Sequence, residues 1–256
     1  MLKNNTILIT GGGSGIGAAL ALQLALNNKV YICGRDDKKL KAVADQHANI
    51  SYAIADLCDY GSIEQLFDKF KESEITFDVL FNNAGVVEIW DLRHQTLAPK
   101  EIFDKVSTNL SGAIAVTQQF VLQANPSVEN LIVNNTSEIA IMPIPVLPLY
   151  SATKAALSVF TKALRVQFKH TSFKVVELLT PGVDTDMPKK LNNTGKLRNT
   201  EDFAKSVIAH ISKGNTEYAP GKNVLLLKVL QKFFPNSGLN LIDKLSRKQL
   251  LVGRLD

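Results

Sequence analysis

Short apolar runs alternate along this chain with stretches whose apolar residues recur every three or four places, the pattern of strands alternating with helices. Thr6 to Thr10 is a β-branched run and reads as a strand; Ala18 to Leu26 is apolar almost all round and reads as a buried helix. Lys29 to Cys33 predicts a second strand, Asp37 to Ala44 a short helix with Leu40 and Val43 inward, and Ile50 to Ala55 a third strand. Ser62 and Gln65 have the spacing of a capping box ahead of the stripe Ile63, Leu66, Phe67 and Phe70. Phe77 to Phe81 reads as the fourth strand. Pro99 is placed to open a long helix with Ile102, Phe103, Val106, Leu110 and Ile114 on its apolar face. Leu131 to Val133 is the next strand, and Pro143, Pro145 and Pro148 predict an extended apolar loop after it. Lys174 to Leu179 is a sixth strand. Thr200 is expected to cap a further helix with Phe203, Val207 and Ile211 inward.

Near-continuous apolar strands separated by helices predict an α/β fold, a Rossmann-type doubly wound parallel sheet with helices on both faces. The 256 residues, 45% of them hydrophobic, suit one domain over residues 1–221. Residues 186–198 lack periodicity and are rich in Lys, Asn and Gly, as a flap would be. Residues 222–256 read as a basic, apolar, helical tail of the same domain, broken at Pro235 to Gly238.

Charge sharpens the picture of the tail. The net charge of +5 resides in it, with seven Lys or Arg against two Asp from Lys222 onward; residues 1–221 balance to zero. No basic patch marks the body for nucleic acid. Val224 to Phe234 is apolar except for Lys228, Gln231 and Lys232, and Leu241, Ile242, Leu245 and Val252 oppose Lys244, Arg247 and Lys248. So much apolar surface needs a cover: the parent core first, then a second subunit, then an anionic membrane surface, which the pattern does not favour. The residues from Met1 to Asn5 show no secretory signal, and Cys33 and Cys58, expected at buried strand ends, form no metal or redox motif. Both features fit a reduced, cytoplasmic protein.

The chemistry gathers at strand ends. Gly11, Gly12, Gly13, Ser14, Gly15, Ile16 and Gly17 lie between the first strand and its helix, where glycines let backbone approach a pyrophosphate and the helix N-terminus meets its charge. The second strand ends in Gly34 and Arg35, and an arginine there can pair with a 2′-phosphate; the competing reading has Asp36 or Asp37 on the ribose hydroxyls, or Arg35 merely solvated. Asp56 follows the third strand, placed to accept from an adenine or merely to end the strand. Asn82, Asn83, Ala84 and Gly85 follow the fourth, a place for close ligand approach or a plain turn. Asn109 sits inside a predicted helix, where it either bonds locally or distorts the helix to hold a water. Tyr150 and Lys154 are four apart on one helical face, close enough for the ammonium to favour the phenolate and lower the tyrosine pKa; taken alone, the spacing fits an ordinary helix with the two at chance positions better. Val86, Val87, Ile89, Trp90 and the proline-rich loop hint at an apolar substrate.

Taken together, Thr10 to Gly17, Asp56, Asn82 to Gly85, Asn109, Ser137, Tyr150 and Lys154 resemble the short-chain dehydrogenase/reductase family in content, order and spacing over about the first 190 residues. Within it the chain is most similar to the bacterial DltE-like oxidoreductases. The resemblance implies Tyr150 as acid/base, Ser137 as the group binding the substrate oxygen, Lys154 on the nicotinamide ribose, and Asn109 behind a water in the proton relay. It implies a nicotinamide cofactor held by Gly11, Gly13, Ser14, Gly15, Ile16, Gly17, Arg35, Asp56, Leu57, Asn83, Ala84, Gly85, Tyr150, Lys154, Pro181, Gly182, Val183 and Thr185. Gly34 and Arg35 look like the version that prefers NADP(H) over NAD(H), and no metal is expected. The expected partner is a small-molecule carbonyl or alcohol. The family's Pro-Gly-x-x-x-Thr is one residue short here, which puts the contact of Thr185 in question. Its usual C-terminal strand and glycine pair are missing, so a homodimer is expected and a tetramer is doubtful. A non-catalytic nucleotide sensor and a sugar-nucleotide epimerase are the rival functions; the intact Ser-Tyr-Lys-Asn set opposes the first, and the glycine spacing and modest length the second.

Overall fold

The computed structural model describes residues 2–191, 195, 197–220 and 222–250. Strands β1 (Thr6–Thr10), β2 (Lys29–Gly34), β3 (Ile50–Ile54), β4 (Val79–Asn82), β5 (Asn130–Asn135), β6 (Phe173–Leu178) and β7 (Glu217–Tyr218) form one sheet in the order β3-β2-β1-β4-β5-β6-β7. Every neighbouring pair is parallel. Successive residues of a strand face opposite sides of a sheet, so each continuous apolar run feeds two cores. Ile7, Ile9, Val30, Ile32, Val79, Phe81 and Val133 pack on one side beneath helices α1 (Gly15–Leu24), α2 (Asp37–Ala44) and α8 (Thr200–Ser212), against Leu20, Leu24, Phe203 and Val207. Leu8, Cys33, Leu80, Ile132 and Val175 face the other side, against Phe67 and Phe70 of α3 (Tyr60–Glu72), Val116 and Phe120 of α5 (Gly112–Gln123) and Leu164 of α6 (Pro148–Gln167). The doubly wound α/β fold is therefore the one the apolar pattern predicts.

Chain order reverses between β1 and β4, where connections leave for opposite sides of the sheet. In doubly wound sheets the crevice outside the carboxyl ends of the strands at this switch point is the place that takes ligands.

Several local expectations are corrected. Helix α3 starts before the predicted capping box: Asp59 caps it, accepting from Gly61 N at 2.9 Å, while Ser62 Oγ accepts from Asp56 N at 3.0 Å. The long helix from Pro99 is three pieces, α4 (Pro99–Val106), a π-helical turn (Ser107–Ser111) and α5; α4 buries none of its residues, and Phe103 is 71% exposed. Pro148 opens α6, since a first helical residue has no N–H to lose, and a 3-10 turn (Glu138–Ala140) interrupts the loop predicted to be extended. Asn199 caps α8 through its side chain, accepting from Asp202 N at 3.0 Å, so the cap is one residue before Thr200. Cys58 is only half-buried, in a loop with Sγ 3.0 Å from Thr108 Oγ1. A seventh strand, β7, does pair with the edge of β6, although it is only two residues long. In the segment read as a flap, α7 (Asp186–Lys190) and a parallel bridge from Val183 to Arg198 give it structure; residues 192–194 and 196 lie outside the described residues.

The tail departs most from its expectation. Helices α9 (Lys222–Phe233) and α10 (Pro235–Gln249) form a pair, and the parent core covers only part of them. Val224, Gly238, Ser246 and Leu250 are buried, while Leu225, Leu226, Val229, Phe233, Leu241 and Leu245 are exposed. Arg247, expected on the polar side, is instead turned inward: its Nε donates to both oxygens of Asp243 at 3.0 and 2.9 Å, and its Nη1 lies 3.8 Å from Asp91 Oδ2. A helix with apolar residues on two faces can bury only one, and this ion pair selects which. Val252 lies outside the described residues.

Gly112 offers a stability test in which two effects have opposite signs. A Cβ there would stand 2.5 Å from Leu57 O and 2.9 Å from Ser107 O, both backbone atoms that cannot swing aside. Helix propensity alone favours Gly112→Ala by about 0.8–1.0 kcal/mol. Overpacking costs about 1–3 kcal/mol and is expected to win, so urea unfolding should show a less stable variant. A more stable variant would contradict the close packing of α5 on Leu57.

Candidate active site

The residues predicted from sequence converge on the crevice at the carboxyl ends of β1, β4 and β5. The loop after β1 approaches neighbouring backbone closely. Gly11 has φ +66° and a Cβ there would lie 2.8 Å from Ala84 Cα; one on Gly17 would lie 2.3 Å from Gly11 O. Gly15, at φ +53°, faces Thr185, whose Cγ2 would be 3.0 Å from an added Cβ. Thr185 therefore reaches the glycine loop even though its motif is one residue short. Pro181, Gly182 and Val183 lead to it, held by the bridge to Arg198, with Arg198 N donating to Gly182 O at 3.0 Å.

Next to this loop, Thr10 Oγ1 accepts from the N–H groups of Asn83 and Ala84 at 3.0 and 3.1 Å. Asn83 Nδ2 donates to Thr10 O and Gly11 O at 3.1 and 3.3 Å. The end of β4 is thereby tied to the end of β1. Asn135 Nδ2 continues the chain by donating to Asn83 Oδ1 at 3.0 Å, and Thr180 Oγ1 donates to Asn135 Oδ1. One layer deeper, Asn82 Nδ2 donates to Asn134 Oδ1 and Thr117 Oγ1, both at 2.8 Å, and Asn134 Nδ2 to Thr161 Oγ1 at 2.9 Å. Asn135 and Thr180 had not been singled out from sequence; two asparagines closing an otherwise apolar strand were the available signal.

Lys154 is 3% exposed, and its Nζ donates to Asn135 O at 2.7 Å. The ammonium lies 5.7 Å from the centre of the Tyr150 ring, so the four-residue spacing does bring the pair together on α6. The predicted electrostatics are corrected, however. Burial pushes the half-buried Tyr150 phenol above its ordinary value, and burial pushes the Lys154 ammonium down from 10.5 to about 8. Removal from water outweighs mutual influence in this pair, which leaves the tyrosine protonated, as a proton donor must be.

Asn109 occupies the π-helical turn and bonds far from its own helix. Its Oδ1 accepts from Val86 N at 2.8 Å, and its Nδ2 donates to Val86 O at 2.9 Å and to Thr153 Oγ1 at 3.2 Å. The helix is thus distorted at Asn109, and its side chain bonds across to Val86 and Thr153. Gly85 lies between, since a Cβ there would be 3.5 Å from both Asn109 Oδ1 and Lys154 Nζ. Ser137 follows Asn135 by two residues, and its Oγ donates to Thr180 O at 3.2 Å. Beside it, Glu138 has a buried carboxylate oxygen, Oε1, without a hydrogen bond; burial pushes this acid up and the Arg198 charge pulls it down. Tyr150 also adjoins an apolar cluster of Val146, Leu147, Leu191 and Leu250 with Val87, Ile89 and Ile144. The proline-rich loop thus packs into an apolar cluster beside Tyr150, and the tail's Leu250 is a member of it.

The remaining predicted residues sit around the ends of β2 and β3 and the start of α1. Arg35 is exposed where β2 ends, and its charge reaches Cys58 at the end of the β3 loop. Asp36 is occupied as the cap of α2, accepting from Lys39 N at 3.1 Å. Asp56 accepts from Cys58 N at 2.9 Å, and Leu57 is buried against Gly112. Ser14 precedes α1 and Ile16 lies in its first turn. A separate cavity of about 460 Å³ opens at the opposite, amino end of the sheet, near Asp78, Lys174 and Thr216, and includes none of these residues.

The crevice fits a dinucleotide: glycines where no side chain has room, a helix N-terminus beside them, and a buried ammonium next to a protonated phenol. Residues 5–196 match the family model for short chain dehydrogenases, and the chain belongs to that family. It is an NAD(P)-dependent oxidoreductase. The oxidoreductase DltE of Bacillus subtilis is 34% identical over 84% of this chain and 88% of its own. Human 17-beta-hydroxysteroid dehydrogenase type 3 is 30% identical over 81% of this chain and 68% of its own. The 3-ketoacyl-(acyl-carrier-protein) reductase of Brucella melitensis, crystallised with NADH, superposes with a TM-score of 0.74 at 25% identity, covering 82% of this chain and 91% of that one. A short chain dehydrogenase of Burkholderia cenocepacia in complex with NADP shares the fold, with a TM-score of 0.78 at 20% identity over 99% of this chain and 100% of that one.

The buried lysine makes stability depend on pH. Its folded value of about 8 is below the unfolded 10.5, so protonation favours the unfolded chain. That cost is present in full below about pH 8 and is lifted as pH rises toward 10.5. The unfolding free energy of the wild type minus that of Lys154→Met should therefore increase across this window in urea titrations. A difference that stays flat would contradict a buried ammonium.

Proposed function

We infer that the protein is an NADP(H)-dependent reductase of apolar carbonyls, and equally a dehydrogenase of the matching alcohols. The observation that carries this reading is the Lys154 ammonium, held on the Asn135 carbonyl and 5.7 Å from the ring of a protonated Tyr150. A bound nicotinamide supplies the hydride to the carbonyl carbon. Tyr150 donates its phenolic proton to the carbonyl oxygen as that oxygen gains charge. Ser137 turns its hydroxyl from Thr180 O to the same oxygen and holds it. Lys154 binds the ribose hydroxyls, and Asn109 keeps the π-helical turn in place so that a water can resupply the proton. The glycine loop, Asn83, Ala84, Gly85 and the segment Pro181 to Thr185 hold the nucleotide, with Asp56 and Leu57 beside the adenine.

Preference for NADP(H) rests on Arg35. Its guanidinium is exposed at the strand end, and the nearest rival, the Asp36 carboxylate, is already engaged with Lys39 N. Lys39 adds a second positive charge, with its stem against Gly13. An apolar substrate is supported by the cluster around Val146, Leu147 and Tyr150. Reduced cysteines and a cytoplasmic setting are supported by Cys33, whose thiol burial pushes up to about 12 and so keeps inert. The expected homodimer has candidate surface in Phe103, Leu122, Val159 and Val166, apolar and exposed on α4, α5 and α6.

Two variants test the reading. Tyr150→Phe should lower NADPH-dependent reduction of an apolar carbonyl panel by at least roughly a hundredfold and leave NADPH affinity nearly unchanged. Substantial turnover by this variant would remove Tyr150 as the donor, and a wild type inactive on every carbonyl would favour a nucleotide sensor. Arg35→Ala should weaken NADPH binding by about 1.5–3 kcal/mol and NADH binding far less. Equal losses would overturn the phosphate assignment.

A further inference from the structure

The outer face of the tail has a composition that nothing in the catalytic reading uses. On α9, Leu225, Leu226, Val229 and Phe233 fall on one arc at helical spacing, and all are exposed, Leu225 by 70% and Phe233 by 62%. Phe234, 57% exposed, stands beside Phe233 at the joint, and α10 adds the exposed Leu241 and Leu245. Lysines border both stripes. Lys228 and Lys232 run along one edge of the α9 stripe, and Lys244 and Lys248 along one edge of the α10 stripe. All four are exposed, and Lys232 Nζ sits 5.2 Å from the centre of the Phe233 ring.

Charge decides what fits this face. Residues 222–250 contain six Lys or Arg and a single acid, Asp243, whose carboxylate is already taken by Arg247. A two-fold contact between copies would bring the same positively charged patch together from both sides, because an isologous interface buries the same surface on each copy. The remainder of the chain is electrically neutral overall, and the acids it sets against the tail are Glu217, 2.8 Å from Lys228 Nζ, and Asp91, 3.8 Å from Arg247 Nη1. A surface of phosphate headgroups over hydrocarbon satisfies both features at once: lysines meet the phosphates while leucine and phenylalanine side chains enter the acyl boundary. No described helix is long and apolar enough to cross a membrane, so the contact lies in the plane of the surface.

We propose that α9 and α10 form a docking surface for anionic membranes, with Leu225, Val229, Phe233, Phe234, Leu241 and Leu245 inserted at the headgroup level and Lys232, Lys244 and Lys248 on the phosphates. This reverses the order expected from sequence, in which the body would cover the tail. The inward side of α10 bears on the substrate cleft. Leu250, just beyond α10, closes the apolar cluster beside Tyr150, and Gly238 packs on Met142, where a Cβ would be 2.6 Å from Met142 Cε. On the function proposed above, docking brings the substrate side next to the bilayer, where an apolar carbonyl concentrates. The docking itself does not rest on that function, because it is scored without turnover.

The test is flotation of the full chain with phosphatidylcholine vesicles and with vesicles in which phosphatidylglycerol is added, each at low and moderate salt. Binding is expected only with phosphatidylglycerol, and it should weaken as salt rises. Neutralising Lys232, Lys244 and Lys248 to Gln should reduce the partition coefficient by roughly fivefold for each lysine. A second variant, Leu225→Ser with Phe233→Ser, should abolish flotation while circular dichroism and NADPH affinity remain those of the wild type, since these side chains are exposed. Failure of the wild type to float overturns the proposal, as does flotation that neither variant reduces. It is equally overturned if light scattering shows a dimer that the Leu225 and Phe233 changes split, because the face is then a subunit contact.

Discussion

One buried charge constrains the rest of the site. Lys154 carries an ammonium almost wholly removed from water, and its described hydrogen bond goes to the Asn135 carbonyl. Such a group persists only where the acceptor is fixed, and Asn135 is fixed by its own side chain, bonded to Asn83 on one side and Thr180 on the other. Asn83 in turn fastens β4 to Thr10 and Gly11. The glycine loop, the ends of β1, β4 and β5 and helix α6 are thus one hydrogen-bonded unit. Each amide left without its partner would cost about 1–3 kcal/mol, so the network resists piecemeal change.

The sheet explains why this unit forms where it does. Parallel strands buried on both faces end together, and at the switch between β1 and β4 no crossing helix covers their carboxyl ends. Polar residues collect there because the strands have run out of apolar neighbours to pack against. The π-helical turn belongs to the same arrangement. By inserting a wider turn at Ser107–Ser111, the chain aims Asn109 at Val86 and Thr153, and Gly85 leaves the space between Asn109 and Lys154 clear.

Much of this was legible in the sequence, for reasons that also explain what was not. Continuous apolar runs can satisfy only a sheet covered on both sides, so the fold followed from them. Glycines between a strand and a buried helix marked the loop where backbone approaches backbone too closely for a side chain. Periodicity shows that a stripe exists but not what covers it, which is why Phe103 and the outer face of the tail were expected inside. Arg247 illustrates the point, since its inward turn depends on Asp91, more than a hundred residues away in the chain. Asn135 and Thr180 were passed over because an asparagine at a strand end ordinarily makes a turn, and their bond spans 45 residues. Spacing gives proximity but says nothing about loss of water, and it is loss of water that raises the tyrosine pKa.

The nucleotide is expected at the carboxyl end of the sheet, against the unit organised by Lys154. Hydrogen–deuterium exchange with and without NADPH tests this directly. Amides of residues 11–17, 83–86 and 181–185 should become protected, while those around Asn5, Asp78 and Thr216 at the amino end keep their rates. Protection confined to the amino end, around the cavity near Asp78 and Lys174, would contradict the assignment of the site.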